Sequence, residues 1–549
     1  MGLLGTDGVK CIVVLVIVFL GSCSFATRIP YVTADSGYVP FVNSFNADTG
    51  WSIVDALAGD RFEGRRAGTK GADLASEYIA SYFDSLKLKP AGESGTYRSR
   101  FTMPLWQLNE IPHVASLDSR GNALKSYEYR RDFNVIPGSG EGSYSAEVVF
   151  AGYGITAKSI GYDDYAGLEA GGKIVLAISG APPSARFEQG KYARTYLKAE
   201  NALSHGALGL LLVDSPANPT AHYVDRRTCG CCWTIYQKLT ILEGAVAMAD
   251  ELLTDSGVTV DSLQRTINDE LKPQSFGTGK RLSVSVGVTY TANASTYNVL
   301  GYTLGSDPAA SSKVIIIGAH YDHWGKDVDQ SVYPGANDDA SGVAVMMEIA
   351  RMFSAAVKPR LSVLFAAWSG EEEGFYGAYN YVDHPYFPLS ETVAYINLDM
   401  VGYGHPLLGE VSEVYQTLRT LMGESAKELN IALNIESYSG GSDHAAFEEK
   451  NVQNLMFIYW PDDVHHTPAD TSAHVLRANV LETGRLTALI ALKLSEATVA
   501  AVNLTPTTTT TTSAQLATST VMTEVLVTAG TALVVVAVVG LLYLRKRKD

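Results

Sequence analysis

Short apolar segments alternate with helical patterns in the second half of the chain. From Leu282 onward the apolar runs are KVIIIGAH, RLSVLFAAW, VAYINLDM and NLMFIYW. The segments between them, such as ASGVAVMMEIARMFSAAV and EVYQTLRTLMGESAKEL, have helical periodicity, and a last helix is predicted from Ala473 to about Ala497. This alternation is typical of a mostly parallel, doubly wound α/β sheet with helices on both faces.

The first half has a different pattern. An amphipathic helix is predicted from Lys70 to Leu88, and its apolar stripe consists of Leu74, Tyr78, Ile79, Tyr82, Phe83 and Leu86. From about residue 116 short β-like runs follow, AEVVFAGYGI and GKIVLAISG, and then KAENALSHGALGLLLVD, which predicts a helix leading into a buried strand. We therefore expect a small β-rich domain that ends near residue 270.

The two ends of the chain have targeting patterns. Residues 1–26 predict a cleaved secretory signal peptide, because an apolar run follows Lys10 and the small residues Ser24 and Ala26 suit the cleavage site. A lipid-anchored Cys23 is the alternative. Residues 525–544 form a charge-free apolar segment before the basic tail 545–549, RKRKD. This pattern predicts one transmembrane helix of type I orientation, with the folded part extracellular or lumenal.

A threonine-rich tract, residues 501–524, precedes the predicted membrane span and predicts an extended stalk. Asn293 and Asn503 begin N-x-[ST] sequons, so the chain is a candidate glycoprotein. Cys229, Cys231 and Cys232 form the cluster TCGCCW, which leaves open a local disulfide with one free thiol, an intermolecular bridge or a zinc knuckle.

Composition narrows the class of function. At 549 residues the chain exceeds the usual size of one domain, so two or more folded units are expected. Its formal net charge of −16 and the lack of a long basic run in its body argue against binding to nucleic acid, which requires a basic face.

Candidate chemistry lies where the predicted strands end. The first strand ends in His320 and Asp322; Asp338 precedes a helix; the remaining strand ends carry Glu371 and Glu372, Asp399, and His466. Because the carboxyl ends of parallel strands meet at one edge of a sheet, these side chains should converge.

So many carboxylates cannot all ionise at close range without a cation between them. Carboxylate and imidazole ligands suit zinc, and a pair of ions requires a bridging carboxylate, a water between them and a base. We expect two Zn²⁺ per chain, with Glu371 as the general base and with the metal ligands His320, Asp338, Glu372, Asp399 and His466.

The motif series GAHYDH, PGANDDASG, SGEEEG, NLDM, SDHAAF and HHTPADT resembles the co-catalytic zinc aminopeptidases, which include aminopeptidase Y and are related to glutamate carboxypeptidase II. The resemblance implies a zinc exopeptidase (phosphorylase/hydrolase-like) fold. It also implies that His320, Asp338 and Asp399 hold one zinc and that Asp338, Glu372 and His466 hold the other. Asp322 would orient His320 and contribute to catalysis.

The resemblance also implies a domain order. Residues 27–115 would begin the peptidase domain, 116–270 would be an inserted protease-associated domain, and 271–500 would carry the catalytic zinc site. The implied function is hydrolysis of N-terminal residues from peptide substrates by a dizinc-bound water. The alternatives are a carboxypeptidase of the glutamate carboxypeptidase type and a non-catalytic receptor on the same scaffold.

Neighbouring polar residues receive simpler interpretations. His323 is expected to pack or to support a ligand, and His465 to face solvent. Asp339 is expected to cap the following helix. Ser442, Asp443 and His444 are expected near the pocket wall, without an assigned role.

Overall fold

The computed structural model describes residues 37–214, 238–355, 358–437 and 441–504. The chain divides into two units, Met1–Val502 and Asn503–Asp549. The description below concerns the first of these units.

Twenty-one strands and twelve α-helices are present in the described residues. The strands are β1 (Lys89–Pro90), β2 (Arg98–Leu108), β3 (His113–Leu117), β4 (Ala123–Tyr127), β5 (Phe133–Val135), β6 (Gly142–Ala151), β7 (Thr156–Ala157), β8 (Tyr162–Asp163), β9 (Ile174–Ile178), β10 (Gly209–Val213), β11 (Thr240–Gly244), β12 (Ser275–Val286), β13 (Val288–Thr303), β14 (Val314–His320), β15 (Gly325–Lys326), β16 (Val332–Tyr333), β17 (Ser362–Trp368), β18 (Thr392–Leu398), β19 (Leu407–Glu410), β20 (Leu433–Glu436) and β21 (Asn454–Tyr459). The helices are α1 (Val39–Val42), α2 (Ala47–Leu57), α3 (Lys70–Ser85), α4 (Gln189–Tyr192), α5 (Thr195–Ser204), α6 (Val246–Leu253), α7 (Val260–Glu270), α8 (Ser341–Ala355), α9 (Tyr376–Asp383), α10 (Gln416–Leu429), α11 (His444–Glu449) and α12 (Arg477–Leu504).

The larger sheet has nine strands in the order β1-β13-β17-β14-β18-β21-β19-β20, with β2 paired to β13. Its centre, β17-β14-β18-β21, is parallel as expected. The flanks differ from the expectation of a mostly parallel sheet, because β13 is antiparallel to β17 and β19 is antiparallel to β21. The sheet is therefore mixed, and the α/β class of the prediction is confirmed at this coarser level.

Helices cover both faces of this sheet, as β14 shows. Because successive side chains of a strand point to opposite faces, Ile315 and Ile317 contact the core that includes α8 and α12. Val314 and Ile316 belong to a separate core on the other face, with residues of α9 and α11. Burial on both faces explains why this strand is a continuous apolar run with no alternation.

A second sheet is inserted into the first. The chain leaves the larger sheet after β2 and returns at β13, which pairs with β2 from Val288↔Leu108 onward. Between them lie eight strands in the order β4-β3-β12-β6-β9-β10-β11-β5, with their own apolar cores. Six of its eight strands lie within the segment 116–270, and its last strand, β12, continues to Val286. Its assignment as a protease-associated domain stays a prediction.

Helix α3 matches the predicted helix with a shifted face. Ile79 and Phe83 are fully buried as expected, but the other buried positions include the small residues Ala72 and Ala75. Leu74, Tyr78 and Tyr82 are only partly buried. Small side chains at the buried positions allow the backbone of a helix to pack close to its neighbours, so alanine is favoured there over a large side chain.

Several predicted features lie outside the described residues. They are the signal peptide 1–26, the cysteines at 229, 231 and 232, the stalk beyond residue 504, the span 525–544 and the basic tail. Within the ranges described, no helix combines the length and the apolar character that a bilayer crossing requires.

Candidate metal centre and active site

The predicted ligands gather at the carboxyl edge of the parallel strands. His320 is the last residue of β14, Asp399 directly follows β18, and Glu371 and Glu372 follow β17. His466 lies in the loop after β21. Asp338 reaches the same edge from the irregular turn Ala336–Ala340 that precedes α8.

Two groups of ligand atoms meet at Asp338. On one side, the Nε2 atom of His320 lies 3.2 Å from Oδ1 of Asp338 and 3.5 Å from Oδ1 of Asp399. On the other side, the Nε2 atom of His466 lies 3.0 Å from Oδ2 of Asp338 and 3.3 Å from Oε2 of Glu372. Each carboxylate oxygen of Asp338 thus faces a different group, as a bridging ligand must.

These separations fit metal coordination. Zinc bonds of about 2.0–2.2 Å in a tetrahedron place neighbouring ligand atoms roughly 3.3 Å apart. Nε2 of His320, Nε2 of His466 and Oδ2 of Asp338 are buried, and none has a hydrogen-bond partner in acceptable geometry among the described residues. Because such orphaned atoms are costly in a protein interior, the donor set fits a pair of divalent cations such as zinc.

The centre holds positive charge strongly. Burial lowers the pKa of His320, but the carboxylates of Glu371 and Asp399 outweigh burial and raise that pKa well above its ordinary value. Burial also opposes protonation of His466, yet Glu372 and Asp338 raise its pKa to about 10. Burial raises the pKa of Asp338, and the surrounding imidazoles more than reverse this, leaving it well below its ordinary value.

Asp322 supports the site in a way that differs in detail from the expectation. The Nδ1 atom of His320 lies 3.1 Å from the main-chain carbonyl oxygen of Asp322 and 3.9 Å from its carboxylate. The carboxylate instead accepts a hydrogen bond from the main-chain N–H of Glu371, at 3.2 Å. Asp322 therefore orients both His320 and the loop of the expected general base. Burial is the main cause that raises its pKa to about 7.

The turn that carries Asp338 is held by Asp470, whose role was missed from sequence. Its carboxylate accepts hydrogen bonds from the main-chain N–H groups of Asn337 and Asp338, at 2.8 and 3.0 Å. Burial is the main cause that raises the pKa of Asp470 to about 7. The signal was present in the HHTPADT motif, but only the folded loop shows which amides the carboxylate meets.

Arg65 is a second residue that sequence reasoning missed. Its guanidinium is fully buried and donates hydrogen bonds of 2.6–2.7 Å to the carbonyls of Leu57, Tyr321, Pro334 and Gly335. It thus joins the residue after His320 to the turn that leads into Asp338. Burial lowers its pKa to about 10, so the side chain is still a cation at neutral pH.

Asp339 caps the helix as expected and has a second contact. Its Oδ1 accepts from the N–H of Gly342 in the first turn of α8, at 2.9 Å. The same oxygen accepts from the N–H of Met400, at 3.0 Å, directly after Asp399. The cap therefore also fixes the end of β18.

His323 supports a predicted ligand as expected, whereas His465 is closer to the centre than the sequence suggested. The Nδ1 atom of His323 lies 3.0 Å from Oε1 of Glu372 and 3.6 Å from Oδ2 of Asp338. The Nε2 atom of His465 lies 3.1 Å from Oδ2 of Asp338, although this ring was expected to face solvent. Four imidazoles, not two, therefore surround the carboxylates, and both additional rings lie close to ligands of the predicted second zinc ion.

Three further residues lie in supporting positions around the site. Ser442 accepts a hydrogen bond from the side-chain amide of Asn397, at 2.8 Å, and is buried. His444 is buried, and burial lowers its pKa to about 4. Glu373, next to Glu372, pairs with Arg66 at 2.9 Å.

A cavity of about 430 Å³ opens beside the centre, with Asp338, Asp399, His465 and His466 in its lining. Its other walls include Met400, Leu408, Met456 and Ile458 as apolar contacts and Glu410 and Glu436 as acids. A substrate group in this cavity would therefore lie against the candidate metal ligands.

Buried carboxylates and imidazoles at the carboxyl edge of an α/β sheet, next to an open cavity, are typical of metal-dependent hydrolases. Residues 298–491 match the model of Peptidase family M28. The resemblance that the motifs indicated is confirmed, and the expectation of zinc agrees with it.

The chain is similar to several known proteins. Aminopeptidase YwaD of Bacillus subtilis (strain 168) is 29% identical over 32% of this chain and 39% of the relative. A probable zinc metalloprotease of Pyrenophora tritici-repentis is 46% identical over 27% of this chain and 43% of the relative. The chain thus spans less than half the length of these relatives.

A solved aminopeptidase from Aneurinibacillus sp. strain AM-1 has the same fold. It superposes with a TM-score of 0.60 at 20% identity and covers 82% of this chain and 94% of its own. The likeness therefore extends over both sheets of the described unit.

Replacement of Asp338 by Asn should remove both metal ions, because one carboxylate serves both groups of ligand atoms. We expect zinc content, measured by mass spectrometry on dialysed protein, to fall from two to below one per chain. Asp383→Asn is the control, since Asp383 is an exposed acid at the end of α9 that pairs with Lys450. An Asp338→Asn protein with two tightly bound zinc ions would contradict a bridging role.

Proposed function

We propose that this protein is a zinc-dependent aminopeptidase that binds two zinc ions and removes N-terminal residues from peptides. The observation that carries the proposal is the position of Asp338, whose two oxygens face two separate groups of buried donor atoms. Support comes from the M28 family match and from relatives named as an aminopeptidase and a probable zinc metalloprotease.

The charge of the cavity favours an amine over a carboxylate at the substrate end. Four carboxylates line it; zinc would neutralise those of Asp338 and Asp399, which leaves Glu410 and Glu436 as the uncoordinated negative charges of the lining. Among its described lining residues there is no lysine or arginine. A free α-ammonium group would be attracted to such a surface, whereas a C-terminal carboxylate would be repelled.

The chemistry of the reaction is shared between the metal and the protein. When bound, zinc would act as a Lewis acid toward the scissile carbonyl and would lower the pKa of water. His320, Asp338 and Asp399 would hold one ion, and Asp338, Glu372 and His466 the other. The expected ligands are themselves buried, and this strengthens each electrostatic interaction among them.

Glu371 is the residue best placed for proton transfer. It is fully buried, its Oε2 lies 3.9 Å from Nε2 of His320, and its main-chain N–H is held by Asp322. Its carboxylate would accept a proton from the attacking water while the hydroxyl oxygen bonds to the carbonyl carbon. The same proton would then pass to the leaving amine as the C–N bond breaks.

Replacement of Glu371 by Gln should abolish turnover without loss of metal, because Gln keeps the shape of the side chain but cannot accept the proton. We expect kcat to fall by at least about 100-fold, the low end of the range for general-base catalysis, with zinc content unchanged. Glu373→Gln, which alters only the ion pair with Arg66, is the matched control. A metal-loaded Glu371→Gln enzyme with near-normal kcat would exclude this role.

The end of the substrate that is attacked can be tested directly. We expect hydrolysis of a dipeptide amide with a free N-terminus, and no hydrolysis when the N-terminus is acetylated. The reverse preference would identify a carboxypeptidase. Failure to cleave any peptide by zinc-loaded protein would favour the non-catalytic receptor.

We also propose that the enzyme is a single-pass, type I membrane protein with its catalytic part extracellular or lumenal. The support is the sequence alone, namely the signal-like segment 1–26 and the apolar segment 525–544 with its basic tail. The full chain should remain in the membrane pellet after alkaline carbonate extraction, while a chain that ends before residue 525 should be soluble. Extraction of the full chain into the supernatant would contradict the anchor.

A further inference from the structure

The cavity beside the metal centre has a second end that the reaction itself does not use. At the first end lie Asp338 and His466, both at least nine-tenths buried; Oδ2 and Nε2 lie 3.0 Å apart, and neither has a hydrogen bond of acceptable geometry within the described part of the chain. The rest of the lining includes side chains of three neighbouring strands, β19, β20 and β21. The volume of about 430 Å³ exceeds that of any single amino-acid side chain.

The wall formed by these strands is a continuous sheet surface. Leu408 and Glu410 are two residues apart on β19, so they point to the same face. Their partners in register on β21 are Ile458 and Met456, and all four line the cavity. A predominantly apolar floor thus leads from the metal centre toward Glu410.

Two carboxylates face this floor together. Glu410 lies directly opposite Glu436 in the parallel pair of β19 and β20. Glu410 is only 9% exposed. The guanidinium of Arg419 binds the main-chain carbonyls of Val411 and Glu436 at these strand ends.

We propose that this cavity selects peptides with an N-terminal lysine or arginine, an inference that rests on the proposed aminopeptidase function. The aliphatic part of the side chain would lie along Leu408, Met456 and Ile458. Its terminal cation would bind the carboxylates of Glu410 and Glu436 through charge-assisted hydrogen bonds. The α-ammonium group would stay near the metal ligands, at the other end of the cavity.

The first test compares substrates on the unaltered, zinc-loaded enzyme. Lysyl-alanine and norleucyl-alanine have side chains with the same four-carbon stem, and only lysine has the terminal charge. We expect kcat/KM to be at least roughly tenfold higher for lysyl-alanine, because a site built for a charged group rejects the analogue that lacks it. Equal values would overturn the inference, while cleavage of norleucyl-alanine would leave the aminopeptidase proposal intact.

The second test locates the preference. In the double variant Glu410→Gln/Glu436→Gln, kcat/KM for lysyl-alanine should fall by roughly tenfold or more, to the value for norleucyl-alanine. The value of kcat/KM for norleucyl-alanine should not change. Glu436→Gln alone should lower kcat/KM for lysyl-alanine by a smaller factor. Because Glu436 is exposed, this single variant should fold, and it keeps the test informative if the double variant does not. Glu413→Gln is the control, because Glu413 is an acid near these strand ends that accepts a hydrogen bond from Ser437.

Two results would overturn the assignment of these carboxylates. An equal loss for both substrates would mean that they bind the α-ammonium group, which every peptide has. A lysine preference that survives in a folded double variant would place specificity elsewhere. If neither dipeptide were cleaved by zinc-loaded enzyme, the proposed function would fail first, and this inference with it.

Discussion

The crowding of negative charge at one edge of the sheet is the constraint on which the site depends. Asp338, Glu371, Glu372 and Asp399 lie within one buried cluster of ligand atoms. Carboxylates at such distances are compatible with an ionised state only if positive charge lies among them. The imidazoles supply part of this positive charge: against the effect of burial, the carboxylates of Glu372 and Asp338 raise the pKa of His466. A bridging position for Asp338 follows, because its two oxygens serve two separate groups.

The turn that carries Asp338 is held in place by residues from distant parts of the chain. Asp470, near the C-terminal end of the fold, accepts hydrogen bonds from the main-chain N–H groups of Asn337 and Asp338. Arg65, near the N-terminal end, binds the carbonyls that lead into the same turn. Gly335, with φ of +59°, has no room for a side chain, since a Cβ there would lie 2.3 Å from the carbonyl oxygen of Asp338. The ligand is therefore fixed by tertiary structure.

Much of the site was predictable because its geometry follows from strand polarity. His320, Asp399 and the Glu371–Glu372 pair each follow an apolar run, and parallel strands must deliver their ends to one edge. His323 and His465 could not be placed in this way, since loop curvature rather than strand direction decides where they point. The antiparallel flanks also escaped prediction. Between β12 and β13 only Gly287 intervenes, so the alternating pattern gives no sign that the chain changes sheets.

The adjacency of β2 and β13 has a consequence for chain entropy. Their pairing closes a loop of roughly 180 residues, yet the entropy lost on closure rises only logarithmically, by about 0.6 kcal/mol for each doubling of length. A whole second sheet is thus accommodated at a junction where a short hairpin would otherwise suffice. Since that sheet has its own apolar cores, it can compensate for the ordering of its own backbone. The inserted segment should consequently have little effect on the free energy of unfolding of the larger sheet.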